Sequence, residues 1–315
     1  MPAHPWFSRA VLLASVAALT VTTPAVAAPS EVTFTVGTRP ESVTKGFDGK
    51  VFVTIQGAPE LGKNDGEVRT LDPKTGAVAP FATGLDNPRG IAFTGKYLVV
   101  ADTTTVWTID KNGVKKVLAT PASFPKAIEF LNDVSAEAGG GAVYVSEMGG
   151  RGFMRDPNGY LWPVDSPEGA AIPSFARIYR IPLEGKITEV VKPSRKTLVL
   201  NGVTASRKPG RLLMVDMFYG NVVESDLEND RKKIIATGFR GADGVAQARD
   251  GSIYVSSFDN GMVWKMDRDG ENVQVLLSGV GRSTTADFLL DERANSLLVP
   301  DTLHGTVHVV PASLT

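Results

Sequence analysis

Four side chains that carry a carboxylate or amide oxygen stand at matching places in otherwise dissimilar segments. Glu41 lies in PESV, Asn132 in LNDV, Asn201 in LNGV and Asp243 in ADGV. Two carboxylates and two amide carbonyls form an oxygen-rich, modestly charged set that suits a hard divalent cation, Ca²⁺ above all. The alternative is that each side chain caps the end of a strand by bonding to nearby backbone. Convergence from four separate segments is hard to explain by capping alone.

The four segments belong to a repeat that runs through the sequence. Each repeat opens with a short apolar stretch and continues, after a turn, into a β-rich run such as VFVTI or SIYVSS. The spacing is roughly 40–50 residues, except after the third opening, which is the period of a four-stranded propeller blade. The six openings begin at Pro40, Pro88, Leu131, Leu200, Ala242 and Thr285.

This pattern predicts an all-β fold, a six-bladed β-propeller of four-stranded antiparallel blades. Helical periodicity is nearly absent, and alternation of period two is typical of strands. A β-sandwich with accidental similarity between segments is the alternative. The run EVTFTV, residues 31–36, is predicted to complete the last blade and so to close the ring. Hairpin turns are predicted at Asp48-Gly49, Asn112-Gly113, Asp250-Gly251 and Asp269-Gly270.

Within this fold, one position in every blade lies at the mouth of the central channel. Loops on one face of a rigid ring are where sites are built. The residues predicted at that position are Glu41, Arg89, Asn132, Asn201, Asp243 and Ala286.

The N-terminus has the pattern of a secretory signal peptide. His4 and Arg9 precede an apolar run over residues 10–21, and Ala25-Val26-Ala27 provides a small-x-small cleavage site. Residues 1–27 are therefore predicted to be a signal peptide, and residues 28–315 a single propeller domain that is secreted or periplasmic. An uncleaved membrane anchor is the alternative.

Composition narrows the partners and the chemistry. A formal net charge of -1 gives no reason to expect nucleic acid or an anionic membrane as partner. With 0 Cys and 3 His, one of them in the signal peptide, cysteine chemistry and a three-His zinc site are excluded from the mature chain. A self-contained ring predicts a monomer that acts on a small molecule.

RPESV, LNDV, LNGV and ADGVAQARDGSIYVS resemble segments of the regucalcin/gluconolactonase family (SMP-30 type) of six-bladed propellers. The resemblance covers about residues 31–315 and rests on the order of short motifs. The wider group includes squid-type diisopropyl-fluorophosphatase, the paraoxonases and strictosidine synthase. By this resemblance, a single divalent metal would be held by Glu41, Asn132, Asn201 and Asp243, and Asp133 would support the site or contact substrate.

The resemblance has two departures that bear on substrate. The paraoxonase-like His dyad has no counterpart here, and the Gly-Pro that usually follows the Glu is replaced by Ser42-Val43. Asp243 is the predicted ligand that also acts as base or nucleophile. His304, in PDTLHGT, is a candidate proton shuttle, with a surface-loop histidine as the alternative.

The third repeat carries a long insertion, at about residues 147–176, that is predicted to form a lid or pocket wall over the channel mouth. A subunit contact or a disordered loop is the alternative. Its apolar residues, with others from neighbouring mouth loops, suggest a bulky lactone or ester. The predicted substrate-binding residues are Arg89, Asp133, Met148, Phe153, Met154, Trp162, Phe218, Tyr219 and Phe258.

The sequence thus predicts a secreted Ca²⁺-dependent hydrolase, a lactonase or esterase-like enzyme. Two alternatives stay open. One is a phosphoester or organophosphate hydrolase on the same metal site, and the other is a non-catalytic propeller that binds a ligand or protein and keeps the metal as a structural element.

Overall fold

The computed structural model describes residues 32–313, which form 24 strands in six four-stranded sheets. The predicted signal peptide lies outside the described residues. Blade 1 consists of β2 (Pro40–Lys45), β3 (Val51–Ile55), β4 (Gly66–Leu71) and β5 (Val78–Leu85). Blade 2 consists of β6 (Pro88–Phe93), β7 (Leu98–Asp102), β8 (Thr105–Ile109) and β9 (Lys115–Ala119). Blade 3 consists of β10 (Leu131–Ala136), β11 (Ala142–Glu147), β12 (Arg177–Pro182) and β13 (Thr188–Val191).

The second half of the chain repeats the plan. Blade 4 consists of β14 (Leu200–Ala205), β15 (Arg211–Asp216), β16 (Asn221–Asp226) and β17 (Lys232–Ala236). Blade 5 consists of β18 (Ala242–Gln247), β19 (Ile253–Ser257), β20 (Met262–Met266) and β21 (Gln274–Leu277). Blade 6 consists of β22 (Leu289–Asp291), β23 (Ser296–Asp301), β24 (Thr306–Pro311) and β1 (Val32–Thr35). Outside the strands lie one short helix, α1 (Pro167–Ala171), and two 3₁₀ turns, at Phe47–Gly49 and Pro121–Ser123. Among the described residues, no helix is long and apolar enough to span a bilayer.

The predicted closure of the ring is confirmed. β1 pairs antiparallel with β24, with Val32 opposite Val309 and Thr35 opposite Thr306, and so forms the outer strand of blade 6. The predicted hairpin turns are also confirmed, since Gly49, Gly113, Gly251 and Gly270 all have positive φ between strands of one blade. Strand residues from the two ends of the chain thereby share one sheet.

Apolar side chains pack between the blades in six clusters, one for each pair of neighbours. Blades 1 and 2, for example, bury Phe52 and Leu85 against Leu98 and Val100. A seventh cluster lies beneath the insertion between β11 and β12. The blades are therefore fixed by apolar burial, which leaves the channel free to carry polar side chains.

The inner strands approach one another so closely that some positions on the axis have no space for a side chain. At Gly244 an added Cβ would lie 2.5 Å from Asp287 Oδ1 and 2.8 Å from Asp287 Cα. Gly141, just before β11, has no atom within 4 Å of an added Cβ. Neither glycine has a positive φ, so alanine is compatible with the backbone at both positions.

We expect Gly244→Ala to lower the free energy of unfolding by about 1–3 kcal/mol, because the methyl group must displace packed backbone. Gly141→Ala, the matched control, should change it by no more than about 0.5 kcal/mol. Urea denaturation followed by tryptophan fluorescence measures both. Equal effects of the two substitutions would contradict close packing at the axis.

Candidate functional site

A β-bulge occurs near the start of each inner strand of blades 1 to 5. In β2 the pairing with β3 shifts register between Pro40 and Val43, and equivalent shifts occur in β6, β10, β14 and β18. The residue directly after the first paired position is the one predicted at the channel mouth. A bulge re-aims the side chain it carries, here away from the flanking strand and toward the axis. The residues at this bulge are Glu41, Arg89, Asn132, Asn201 and Asp243.

A hydroxyl from the second strand stabilises three of these bulges. Backbone N–H groups that the ladder leaves unpaired donate to Thr54 Oγ1 in blade 1 and to Ser146 Oγ in blade 3, both at 2.9 Å. In blade 5, Gly244 N–H donates to Ser256 Oγ at 2.8 Å. The hydroxyls thus replace the backbone partners that the bulge removes.

Carboxylates at the ends of second strands hold the segments that lead into the inner strands. Asp102 Oδ1 accepts from Asn87 N–H at 2.6 Å, and Glu147 Oε1 accepts from Phe130 N–H at 3.2 Å. Asp216 does the same for Val199 N–H at 3.0 Å, and burial raises its pKa to about 6. The sequence analysis missed this role, although the signal was visible in the acidic ends of the runs LVVAD, AVYVSE and LLMVD.

The four predicted metal ligands come together as buried side chains, each no more than 4% exposed, around one cavity. One oxygen of each has no hydrogen-bond partner among the described residues: Glu41 Oε2, Asn132 Oδ1, Asn201 Oδ1 and Asp243 Oδ1. The amide nitrogens of Asn132 and Asn201 face Met148 Sδ at 3.6 Å and Met217 Sδ at 3.9 Å. Each unsatisfied buried acceptor costs roughly 1–3 kcal/mol. Four in one place fit a hard divalent cation, which takes carboxylate and carbonyl oxygens.

Burial also sets the charge of the two acidic members. It raises the pKa of Glu41 to about 7, against the opposing effect of Arg89, whose Nη1 lies 3.5 Å from Glu41 Oε1. Burial, with the nearby carboxylates of Glu41 and Asp287, raises the pKa of Asp243 well above its usual value. Without a cation, the site therefore favours protonated carboxyl groups.

Asp133 occupies a layer beneath this site. Its Oδ1 accepts from Val134 N–H and its Oδ2 from Val203 N–H, both at 2.6 Å. It lines a separate recess with Asp287, which in turn accepts a hydrogen bond from Ser42 Oγ. Asp133 thus supports neighbouring inner strands, as one of its two predicted roles requires, and it does not line the cavity at the channel mouth.

The cavity at the mouth has a volume of about 340 Å³, near the lower end of the range for small-molecule pockets. Among the predicted substrate-binding residues, Arg89, Met148, Met154 and Phe258 line it. The four predicted ligands also line the cavity, and their oxygens are called its floor below. Ala286 lines the cavity as well, but its side chain has no oxygen that could bind a cation. The residues that sequence reasoning did not single out are Arg39, Gln56, Arg151, Arg155, Met217, Ser283, Thr302 and Leu303.

The other predicted substrate-binding residues lie elsewhere. Phe218 is fully buried beneath the insertion, where Trp162 and Tyr219 pack against the same cluster. Phe153 is 54% exposed and does not line the cavity. The apolar residues of the insertion therefore serve mainly to pack it against the propeller. Five buried residues of the same cluster belong to the propeller itself: Phe130, Leu198, Val199, Met217 and Phe218.

The insertion is well anchored at the channel mouth. Arg155 makes a two-pronged ion pair with Asp259 at 2.8 and 3.0 Å, and Arg240 donates to Trp162 O at 2.7 Å. Ser166 caps α1 through Gly169 N–H. Four residues of this segment, Met148, Arg151, Met154 and Arg155, line the cavity, so the segment forms part of its wall.

His304 is next to the cavity but does not line it. Its Nδ1 lies 2.8 Å from Asp301 Oδ2, and its side chain is 57% exposed. Asp301 Oδ2 also lies 3.1 Å from His308 Nε2. The neighbouring residues Thr302 and Leu303 contribute to the cavity wall instead.

These features define a six-bladed β-propeller with a polar pocket at one end of its channel. Residues 64–300 match the family model of the SMP-30/gluconolactonase/LRE-like region. The chain belongs to that family, as its repeat motifs indicate. A search of curated protein sequences with this chain finds no match.

Solved structures show the same fold. A gluconolactonase from Xanthomonas campestris is 15% identical, with a TM-score of 0.64 and coverage of 91% of each chain. A proposed gluconolactonase is 16% identical, with a TM-score of 0.61 and coverage of 90% of this chain and 92% of that one. A chain of a nidogen/laminin complex is 14% identical, with a TM-score of 0.54 and coverage of 72% and 75%. At these identities the likeness concerns the fold.

The raised pKa values generate a test of cation binding. Unfolding returns the pKa values of Glu41 and Asp243 to about 4. Between pH 4 and about 7, these carboxyl groups are therefore ionised in the unfolded chain but still protonated in the cation-free fold. Raising the pH over this range lowers the free energy of unfolding of the cation-free protein. Cation binding competes with protons and strengthens over the same range. We expect Ca²⁺ at about 100 times its Kd to stabilise the protein by about 2.7 kcal/mol at pH 8, and much less at pH 5.

Thermal melts with CaCl₂ or chelator at the two pH values measure this difference. Asn201→Leu is the control, because it removes one donor oxygen without altering a charge. An equal shift in Tm at both pH values, or a full shift in the variant, would contradict the assignment of these oxygens to a cation.

Proposed function

We propose that this protein is an exported, divalent-cation-dependent lactonase, with Ca²⁺ as the cation. The observation that carries the proposal is the group of four unpartnered oxygens on the floor of an open cavity. Membership of a family described by gluconolactonase supports lactone hydrolysis in particular. Export rests on the signal-peptide pattern of residues 1–27.

A cation held by these oxygens would supply Lewis acidity toward a carbonyl oxygen, which gains negative charge as a lactone is attacked. The protein's own part is to position the substrate and handle the proton. The Asp243 side chain lines the cavity, which supports a second role for this carboxylate, beside holding the cation, as the acceptor of a proton from an attacking water. Arg89 also lines the cavity, where its guanidinium can donate to an oxygen of the substrate.

The cavity suits a compact ring better than the bulky apolar substrate expected from the insertion. Its volume is about 340 Å³, and only Met148, Met154 and Phe258 of the predicted apolar residues reach it. The open face beside the oxygens also favours catalysis over a purely structural cation, since a structural site is closed by protein on all sides.

Asp243→Ala should remove the bound cation and lower kcat/KM for lactone hydrolysis by at least about a hundredfold, because a ligand and a proton acceptor are lost together. Asp250→Ala is the matched control from the same blade. Asp250 is exposed and accepts a hydrogen bond from Ser252 N–H in a hairpin turn, at 2.8 Å, so cation content and activity should persist. Metal analysis and a lactone assay measure both variants. Unchanged cation content and activity in Asp243→Ala would sink the proposal.

A substrate panel separates the remaining classes. Lactones, aryl esters and organophosphates, each with and without chelator, should show chelator-sensitive turnover of lactones. Preferred turnover of organophosphates would favour the phosphoester alternative, and a cation-loaded protein that turns over nothing would favour a binding propeller. His304→Ala belongs in the same panel. Because His304 does not line the cavity, we expect activity within about threefold of wild type, whereas a loss of about a hundredfold would assign it to proton transfer.

A further inference from the structure

Four arginine side chains line the wall of the cavity above the four oxygens. Arg39, Arg89, Arg151 and Arg155 all line it, and Glu41 and Asp243 are the acidic side chains among its lining residues. Arg39 and Arg89 come from blades 1 and 2, whereas Arg151 and Arg155 come from the insertion. Two separate parts of the fold thus direct positive charge at one space.

Only some of these four arginines have a carboxylate partner among the described residues. Arg155 is neutralised by Asp259, and Arg89 has only the contact with Glu41 at 3.5 Å. Arg39 donates to neutral groups, Gln56 Oε1 at 2.5 Å and Gly57 O at 3.5 Å. Among the described residues, neither Arg39 nor Arg151 has a carboxylate within ion-pair distance.

The positive charges are held in place. The guanidinium carbons of Arg89 and Arg151 lie 4.5 and 4.1 Å from the centroid of the buried Phe130 ring. Arg39 has a φ of 58°, a conformation that disfavours side chains, and Gln56 N–H donates to its carbonyl. Loss of solvent together with neighbouring arginines lowers the pKa of Arg151 to about 10. Like charges fixed at close range are unfavourable until an anion joins them.

A bound divalent cation would increase the excess of positive charge around the cavity. Its two positive charges would balance the ionised carboxylates of Glu41 and Asp243, and Glu41 would then be shared between the cation and Arg89. Arg39, Arg89 and Arg151 would remain around the cavity without a full counter-charge. A planar guanidinium matches the oxygens of a carboxylate or phosphate, often through two parallel hydrogen bonds.

We infer that the substrate is an anionic lactone, a compact sugar-type ring that carries a carboxylate or phosphate group held by Arg39, Arg89 and Arg151. This inference rests on the proposed lactonase function and assigns its substrate class. The ring oxygens would lie toward the four-oxygen floor and the anionic group toward the arginines. Met148, Met154 and Phe258 are among the apolar residues that line the rest of the wall.

A binding experiment tests the ligand class without relying on turnover. The probes are three sugars that share one ring and cannot be hydrolysed as lactones: glucose, glucuronate and glucose 6-phosphate. Titration calorimetry with CaCl₂ present should give at least about tenfold tighter binding for one or both anionic sugars than for glucose. The carboxylate and phosphate probes distinguish the two sources of the anion. Equal affinity for all three sugars would overturn the inference.

Hydrolysis assays with the corresponding lactones separate this inference from the proposed function. The lactones of gluconate, glucarate and 6-phosphogluconate should be turned over with a preference in kcat/KM for an anionic one. Turnover without such a preference would overturn the inference and leave the lactonase function intact. Tight binding of an anionic sugar without turnover of any lactone would overturn the lactonase function and support the anion site.

Substitutions assign the preference to the arginines. Arg151→Gln and Arg39→Gln should each lower the anionic-to-neutral ratio of kcat/KM, or of affinity for the sugars, by about ten- to a hundredfold. Arg151 contacts Phe130 and has no salt bridge to any of the described residues, so its loss should leave the fold intact. The control is Arg207→Gln, which removes an arginine paired with Glu292 outside the cavity and should leave the ratio unchanged. A ratio that survives both cavity substitutions would show that other groups select the anion.

Discussion

The bulge at the second residue of the inner strands is the constraint on which the rest of the site depends. A regular strand alternates its side chains between two faces, and both faces of a blade pack against neighbouring blades. The bulge releases one residue from that alternation and directs it at the axis. It persists because hydroxyls such as Ser146 and Ser256 take up the N–H groups that the ladder cannot pair. Polar side chains from separate blades meet only because this exception repeats.

The convergence of these polar side chains at the channel axis has an electrostatic consequence. Carboxylates and amides buried together without partners are destabilising, and the raised pKa values of Glu41 and Asp243 are the response of the isolated protein. A divalent cation would reverse the situation, because it would satisfy the oxygens and favour the ionised forms. The arginines on the cavity wall are a second group of like charges, one layer farther from the axis. Their positive charge would be balanced by an anionic ligand. The apolar clusters between the blades stabilise the fold and so tolerate this arrangement.

Much of the fold and part of the site could be predicted from the sequence. Repeated openings fixed the six blades and the positions of Glu41, Asn132, Asn201 and Asp243, because a repeat converts spacing in sequence into equivalence in space. The positions of residues outside the repeat are harder to predict from the sequence. The apolar character of Phe218 and Trp162 predicts contact with substrate, but the insertion must bury its own underside, and both residues pack there instead. Arg39 and Arg151 gave no signal, since an arginine in a loop has no pattern to show which way it faces. Asp133 follows Asn132 directly, and the strand turned it to the layer below.

The central claim is that the four unpartnered oxygens share one cation. The most direct measurement is an anomalous difference map from crystals of the protein soaked in a Mn²⁺ or lanthanide salt, which replaces Ca²⁺ with a stronger scatterer. The account predicts a single strong peak on the channel axis, about 2.3–2.6 Å from Glu41, Asn132, Asn201 and Asp243 oxygens, with part of its coordination open to the cavity. An absence of any peak there, or a peak enclosed by protein on every side, would contradict it.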